Sequence, residues 1–462
     1  MLLKVKKLSE IGGIVKAPPS KSYTHRAVII SSFANGESTL HDPLISQDTL
    51  ASIKASKCFG AELEVIGIPN SYGDEIDINN VSKNITGHDK VSINVKGTEN
   101  IHNYSSNAID LMNSGTTLRI MTSIAGLADN GVIFTGDSSL KTRPMGLLLE
   151  AIKPLGGDAV SIEGNEKPPI AINPGFIGGK TSIGGNVSSQ FISSILIAGA
   201  ISKLGIELEV KGDFISKSYV AMTLDVMEKF GIKIDSDLFT KHDDCDRDLK
   251  KSSSATFKIS PQEYIGADYV IEGDYSSASY LLGAVAIAGG EITVKNLFKD
   301  SKQGDKLIID VLRRMGAKIS IGNDSVTLTS SGELNGIDID LHDAPDLLLT
   351  VAVLGALANG KTTIYGVRHA RFKETDRIAK CAEELKKLHC NVCELEDGLV
   401  IEGGLSSGTV NSHSDHRIAM AFSLIGLKHE IAIDNGEVFD VSFPNFIEAM
   451  NEIGVVVYLD NS

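Results

Sequence analysis

The chain repeats itself six times, and that periodicity limits the folds open to it more than any single motif does. Each copy opens on a small polar cluster, continues as an apolar helix, turns at a glycine and becomes a strand; a second helix then ends at an apolar residue and a glycine before another strand. The first copy is SKSYTHRAVIISSFANGESTLHDP followed by TLASIKASKCFGAELEV, the second NSGTTLRIMTSIAGLADNGVIFTG followed by PMGLLLEAIKPLGGDAVSI, and the third SSQFISSILIAGAISKLGIELEV followed by SYVAMTLDVMEKFGIKI. The fourth runs from YSSASYLLGAVAIAGGEITV to KLIIDVLRRMGAKISI, the fifth from APDLLLTVAVLGALANGKTTIYGV to ETDRIAKCAEELKKLHCNVCEL, and the sixth from HSDHRIAMAFSLIGLKHEIAI to FPNFIEAMNEIGVVV. From opening cluster to closing glycine a copy spans roughly 40 residues. Gly60, Gly156, Gly231, Gly316 and Gly454 suit the position just past a helix end, where left-handed backbone costs glycine little; the fifth copy has His389 there. Alternating helices and short strands predict an α/β fold with helices packed on sheets. Six units divide into two domains of three, with a boundary near Ile271.

At 462 residues the chain exceeds what one core usually supports, in keeping with two domains. Its longest apolar runs, such as ILIAGAI from Ile195, are too short to cross a bilayer, and MLLKVKKLSE lacks the apolar centre of a signal peptide. A cytoplasmic protein is expected, with no membrane partner. Five cysteines do not suggest a disulfide framework, and the CxxC of Cys390 and Cys393 lacks a second pair or a spaced histidine pair, so no metal is expected. With 44 basic against 59 acidic residues the net charge is −15, which argues against nucleic-acid binding by general charge. An anionic ligand would have to be drawn by local clusters. The stretches 67–90 and 241–255 read as insertions, the second as an exposed charged loop.

Such clusters stand at the helix starts. Free N–H groups and the helix dipole favour anions there, and Ser22, Ser114, Ser188, Ser189, Ser276 and Ser277 suit those positions, although capping alone would explain them. Cations join them: Lys21 and Arg26 in the first copy, Arg119 and Arg143 in the second, Arg371, Lys373 and Arg377 in the fifth, His416 and Arg417 in the sixth. A guanidinium fork matches carboxylate and phosphate, so several of them at similar helix starts would form a polyanion site. The competing account of any one is a surface ion pair, and RFKETDR could be a salt-bridged helix start. GALANGKT, Gly355 to Thr362, fits the phosphate-loop pattern, but a helical run precedes it and a strand-like run follows, the reverse of what a phosphate loop requires.

At these clusters the sequence resembles the 5-enolpyruvylshikimate-3-phosphate synthase family over nearly its whole length. The resemblance rests on PPSKSYTHRA, NSGTTLR, GDSSLKTRPM, SSQFISSILIAGA, GDFISKSY, EGDYSSASY, SKQGD, DAPDLLLT, RFKETDRI, SDHRIAMAFSL and SFPNF, in that order. It implies two similar domains, residues 19–270 and residues 1–18 with 271–462, each of three βαβαββ units whose helix N-termini face the interdomain cleft. The reaction implied transfers enolpyruvyl from phosphoenolpyruvate to the 5-hydroxyl of shikimate 3-phosphate, releasing phosphate, with domain closure excluding water. By match, Asp346 takes the hydroxyl proton, Glu374 handles the methylene proton and Lys21 assists at the tetrahedral intermediate. On residue type alone Asp346 is more readily a helix cap, and Glu374 an ion-pair partner of Arg377. Phosphoenolpyruvate contacts fall on Lys21, Gly115, Arg143, Gln190, Arg377 and Arg417. Shikimate 3-phosphate contacts fall on Ser22, Arg26, Ser188, Ser189, Gln190, Ser216, Tyr219, Asp346, His369 and Lys373, and His416 resembles a further site residue.

The resemblance implies no metal and no organic cofactor, and a monomer acting on small anionic substrates is expected. Two positions depart from the pattern. Val441 stands where many relatives have a phosphoenolpyruvate-binding Lys, and His369 where many have Asn. Histidine could donate there only from one tautomer or when charged. Other readings are an enolpyruvyl transferase acting on UDP-N-acetylglucosamine, which generally has a Cys in the loop that here reads GDSSLKTRPM, a phosphate-loop NTPase, and an inactive anion-binding relative.

Overall fold

The computed structural model describes residues 1–6, 11–67, 90–105, 108–186, 188–238 and 254–460. Most of the two insertions, residues 68–89 and 239–253, therefore lies outside the described residues. The described chain divides into two compact units: an inner one within residues 21–271, and a terminal one made of Met1–Ser20 and the residues from Glu272 onward.

Each unit holds three four-stranded sheets, and all six share one topology: a parallel pair followed by two antiparallel neighbours. In the third copy, Gly179–Gly184 pairs in parallel with Ile206–Lys211, which pairs antiparallel with Ser254–Ile259, which pairs antiparallel with Asp235–Ser236. With its two helices this is a βαβαββ unit. The second, third and fifth copies are contiguous in sequence, whereas three others borrow a strand. Asp268–Val270 completes the first copy beside Glu37–His41, Gly12–Lys16 the fourth beside Gly290–Lys295, and Leu2–Lys6 the sixth between Ile431–Asp434 and Val456–Asp460.

The six helices that open the copies are α1 (Lys21–Ser32), α2 (Gly115–Ala125), α3 (Ser189–Ala200), α4 (Tyr275–Ala288), α5 (Leu348–Ala356) and α6 (His416–Ser423). Beyond their first two turns they carry only apolar and small residues, and they are buried on nearly every side rather than on one face. Where two such helices, or one of them and a second helix, meet, hydroxyls bond one another: Ser194 to Ser123 at 2.7 Å, Ser193 with Thr223 at 2.7 Å, Ser279 with Thr350 at 2.9 Å. Short side chains let the helices approach closely, and the mutual bonds avoid the cost of a buried unsatisfied hydroxyl, about 1–3 kcal/mol. The helix Arg377–Lys387 is amphipathic instead, and its buried face carries Ile378, Cys381, Ala382, Glu384 and Leu385.

The closing positions all adopt left-handed backbone, from φ +85° at Gly156 and Gly454 to +115° at Gly316, and His389 takes φ +61° at the same place. The conformation belongs to the repeat, since even a residue with a Cβ adopts it there. Gly355–Thr362 is a helix-to-strand turn between α5 and the strand Thr362–Tyr365, the reverse of a phosphate loop. Cys390 and Cys393 flank another such turn as free thiols. No helix among the described residues is long and apolar enough to cross a membrane.

Candidate active site

In the inner unit, polar side chains from the first turns of α1, α2 and α3 are tied to one another and to neighbouring helices. Lys21, the first residue of α1, holds its Nζ 2.9 Å from Asp48 Oδ2. Burial alone would raise the Asp48 carboxyl, but Lys21, His25 and the Ser114 hydroxyl hold it well below the usual carboxylate range. His25, also buried, is pushed down by that burial, so it stays neutral and its Nδ1 lies 2.8 Å from Ser52 Oγ. Asp48 therefore fixes the Lys21 ammonium. Sequence reading passed over it, although SQDTL forms a capping box between Ser46 and Thr49 that places an acid in a first helical turn.

Gly115 begins α2 against Arg143. A Cβ built on Gly115 would stand 2.4 Å from Arg143 Nη1 and 3.4 Å from its Cζ, so the glycine leaves the room the guanidinium occupies. Arg143 donates Nη2 to Asn113 Oδ1 at 2.6 Å, while its buried Nε has no hydrogen-bond partner among the described residues. On α3, Gln190 accepts from Arg119 Nη1 at 2.6 Å and donates to Thr116 Oγ1 at 2.8 Å, and Arg119 lies over the Phe191 ring. Sequence reading noticed Arg119 as a cation but gave it no place in the site.

Arg26 is 1% exposed. It donates Nε to Thr223 Oγ1 at 2.7 Å, Nη1 to the Ser22 carbonyl at 2.8 Å and Nη2 to the Tyr219 carbonyl at 3.0 Å. Burial pushes its pKa down to about 10, so it keeps its charge at neutral pH. Three of its five N–H groups thus rest on neutral oxygens, and the positive charge still lacks a carboxylate among these bonds. Ser188 caps α3 by accepting from Gln190 N, Ser189 is the buried first residue of that helix, and Ser216 precedes the helix Lys217–Lys229 with φ +54°.

The terminal unit builds its site around one carboxylate. Asp346 lies in the 3-10 turn Pro345–Leu347 that leads into α5, and the cap position of that turn is Ala344. Its Oδ1 receives Arg377 Nη1 at 2.8 Å with Lys373 Nζ at 3.6 Å, and its Oδ2 receives Arg417 Nη2 at 3.1 Å. Arg377, 1% exposed along its side chain, also bonds Glu374 at 2.6 Å and both oxygens of Asp415 at 2.8 and 3.2 Å. Burial pulls the Arg377 pKa down, but Asp415, Glu374 and Asp346 together raise it well above its ordinary value. Asp415 doubles as the cap of α6, accepting from Arg417 N at 2.9 Å, so one buried acid holds the Arg377 guanidinium and the first turn of the helix that carries Arg417.

Three further features emerge only in the structure. Asp305, from SKQGD, is buried; that burial and then Asp346 push its pKa up to about 8. The cap of α4 is Asp274, not Ser276 or Ser277: Asp274 Oδ1 accepts from Ser277 N at 2.9 Å and from Ser276 Oγ at 2.5 Å. His369 is driven down to about 3 by burial and then by Lys373 and His342, whose ring stands edge-on to it at 6.2 Å, so any donation by His369 comes from a neutral tautomer. His416, 1% exposed, is the first residue of α6, and Val441 ends the turn Gly436–Val441.

Lys21, Arg143, Gln190 and Arg26 with their partners thus belong to the inner unit, and Asp346, Lys373, Glu374, Arg377 and Arg417 to the terminal unit. Chemically, the first group offers cations and hydroxyls at helix starts, and the second couples acids that can move protons to arginines that can hold phosphate or carboxylate.

The family model for EPSP synthase (3-phosphoshikimate 1-carboxyvinyltransferase) matches residues 5–450. A 3-phosphoshikimate 1-carboxyvinyltransferase from Methanobrevibacter smithii is 60% identical over 99% of this chain and 100% of its own length. One of the same name from Methanothermobacter thermautotrophicus is 52% identical over 98% of this chain and 99% of its own. In fold, the chain is similar to an EPSP synthase structure from Acinetobacter baumannii, with a TM-score of 0.76 and 24% identity covering 100% of both chains. Coverage this complete, at such identity, shows that the chain belongs to the EPSP synthase family.

Proposed function

We propose that this protein transfers the enolpyruvyl group of phosphoenolpyruvate to the 5-hydroxyl of shikimate 3-phosphate, releasing phosphate. The observation that carries the reading is the Asp346 carboxylate set between Arg377, Arg417 and Lys373. In the first half of the reaction, Asp346 takes the proton of the 5-hydroxyl as that oxygen bonds to C2 of the donor, and Glu374 delivers a proton to the methylene carbon. The resulting tetrahedral intermediate carries both substrates. In the second half, phosphate leaves C2 and the methyl group returns a proton, restoring the double bond. Lys21, fixed by Asp48, assists at the intermediate. Every step is a proton transfer or a C–O bond change between the two substrates, so this chain's acids and bases suffice and no cofactor is called for.

Lys21, Gly115, Arg143, Gln190, Arg377 and Arg417 hold phosphoenolpyruvate, with Gly115 leaving the room that the Arg143 guanidinium occupies. Arg377 and Arg417 are engaged by carboxylates, so the anionic donor binds by taking over N–H groups that Asp346 and Glu374 now share. Ser22, Arg26, Ser188, Ser189, Gln190, Ser216, Tyr219, His369 and Lys373 hold shikimate 3-phosphate together with Asp346, and His416 is a further candidate site residue. The protein acts as a monomer, which sedimentation in solution checks.

Purified protein should release phosphate from phosphoenolpyruvate when shikimate 3-phosphate is present and not with UDP-N-acetylglucosamine. Release only with the sugar nucleotide would replace this acceptor by the other. A second expectation follows from the space at Gly115. A methyl group there displaces the Arg143 guanidinium by its flexible end, so Gly115→Ala should fold normally yet raise KM for phosphoenolpyruvate about tenfold, with KM for shikimate 3-phosphate little changed. Unchanged donor kinetics would remove Gly115 and Arg143 from the donor site.

A further inference from the structure

Outside the residues assigned above, a buried carboxylate is joined to a strained turn. Glu384 lies two helical turns beyond Arg377, on the same buried face of Arg377–Lys387, and its side chain has no exposed surface. It accepts from His413 Nε2 at 2.5 Å, from Lys387 Nζ at 2.7 Å and from the backbone N–H of Asn411 at 3.1 Å. Glu383, Glu384 and His413 also have the grouping of a metal cradle, but Lys387 Nζ bonds both carboxylates, at 3.1 and 2.7 Å, and supplies the positive charge itself.

The turn that Glu384 grips is unusual. His413 and Ser414 both adopt left-handed backbone, φ +52° and +59°, a conformation residues with a Cβ hold only when their surroundings impose it. Within the turn, Asn411 Oδ1 accepts from His413 N at 2.6 Å and Ser412 Oγ donates to the Asn435 carbonyl at 2.8 Å. The next residue is Asp415, which holds Arg377 and caps α6 at Arg417. A closed circuit results: Arg377, two turns of helix, Glu384, His413, Asp415, and back to Arg377.

We propose that Glu384 and His413 are a positioning pair, which clamps this turn so that Asp415 presents Arg377 and Arg417 together to the anionic donor. The inference rests on the function proposed above. Neither residue touches the reacting groups; both act through Asp415.

The test uses the full-length protein carrying His413→Gly. Glycine accepts left-handed backbone freely, so this change removes the clamp without adding strain and the chain should fold. KM for phosphoenolpyruvate should rise about tenfold, with kcat and KM for shikimate 3-phosphate within about threefold of the parent. His413→Gln, whose amide can again donate to Glu384, should recover most of the donor affinity. Unchanged KM for phosphoenolpyruvate in His413→Gly, with or without a lower melting temperature, overturns the proposal while the parent's activity leaves the functional reading standing. If the parent itself releases no phosphate, that reading fails, and the clamp is judged by NMR of the Arg377 Nε–H. Faster hydrogen exchange in His413→Gly than in the parent supports the clamp, and equal exchange overturns it.

Discussion

Replacing Asp346 with Asn should lower kcat by about 10²–10⁴, the range spanned by loss of a positioned general base, while shikimate 3-phosphate continues to bind. The substitution keeps the side chain's shape and its accepting oxygen but removes the charge and the ability to take a proton. Because Arg377, Arg417 and Lys373 all point at this carboxylate, its neutralisation also leaves them freer for an anionic ligand. KM for phosphoenolpyruvate should accordingly stay level or fall. Steady-state kinetics in both substrates, with calorimetric titration of shikimate 3-phosphate, separates these effects. A kcat within tenfold of the parent would return Asp346 to a purely structural role as the hub of an ion-pair network.

The second large effect concerns Arg377→Met. Methionine has a similar reach and suits a buried site, so the loss is of charge and hydrogen bonds more than of volume. The change strips fully buried Asp415 of two bonds and removes one partner each from Asp346 and Glu374. Breaking a buried pair by deleting one partner typically costs about 3–5 kcal/mol, because the remaining charge is left without compensation. The unfolding midpoint should fall by roughly 10 °C at the rate of about 2–4 °C per kcal/mol for units of this size. Donor turnover should also become undetectable even at temperatures where the variant is folded. Arg377→Met with Asp415→Asn should recover much of the stability and none of the activity. A single variant as stable as the parent would show that this arginine's bonds offset only their own desolvation.

Much of this architecture was legible in the chain because it is local. A glycine just past a helix needs only a few residues of context, which is why the closing positions were found at Gly60, Gly156, Gly231, Gly316 and Gly454, and why His389, in the same setting, adopts the same backbone. The buried helices announced themselves by apolar runs behind a small polar start, and the turn at Gly355–Thr362 by the order of its neighbours. The arginines near the helix starts were likewise visible, since residue type and position in a helix are read from a few residues of chain.

What remained hidden was pairing between residues far apart in sequence. Three sheets are completed by strands from Leu2–Lys6, Gly12–Lys16 and Asp268–Val270, and nothing in those short segments states which strands they pair with. Ser276 and Ser277 have the right type for a cap, yet Asp274 lies one turn earlier with the geometry to do it. Asp48, Asp305 and Asp415 look like ordinary acids until folding sets one on Lys21, buries another near Asp346 and places the third on Arg377. The repeat, the elements and the kinds of groups at the helix starts can be read along the chain, because backbone preference and periodicity act over a few residues. Which charges meet and which are buried came only with folding, because those depend on distances of a few ångströms that arise after the chain has closed on itself.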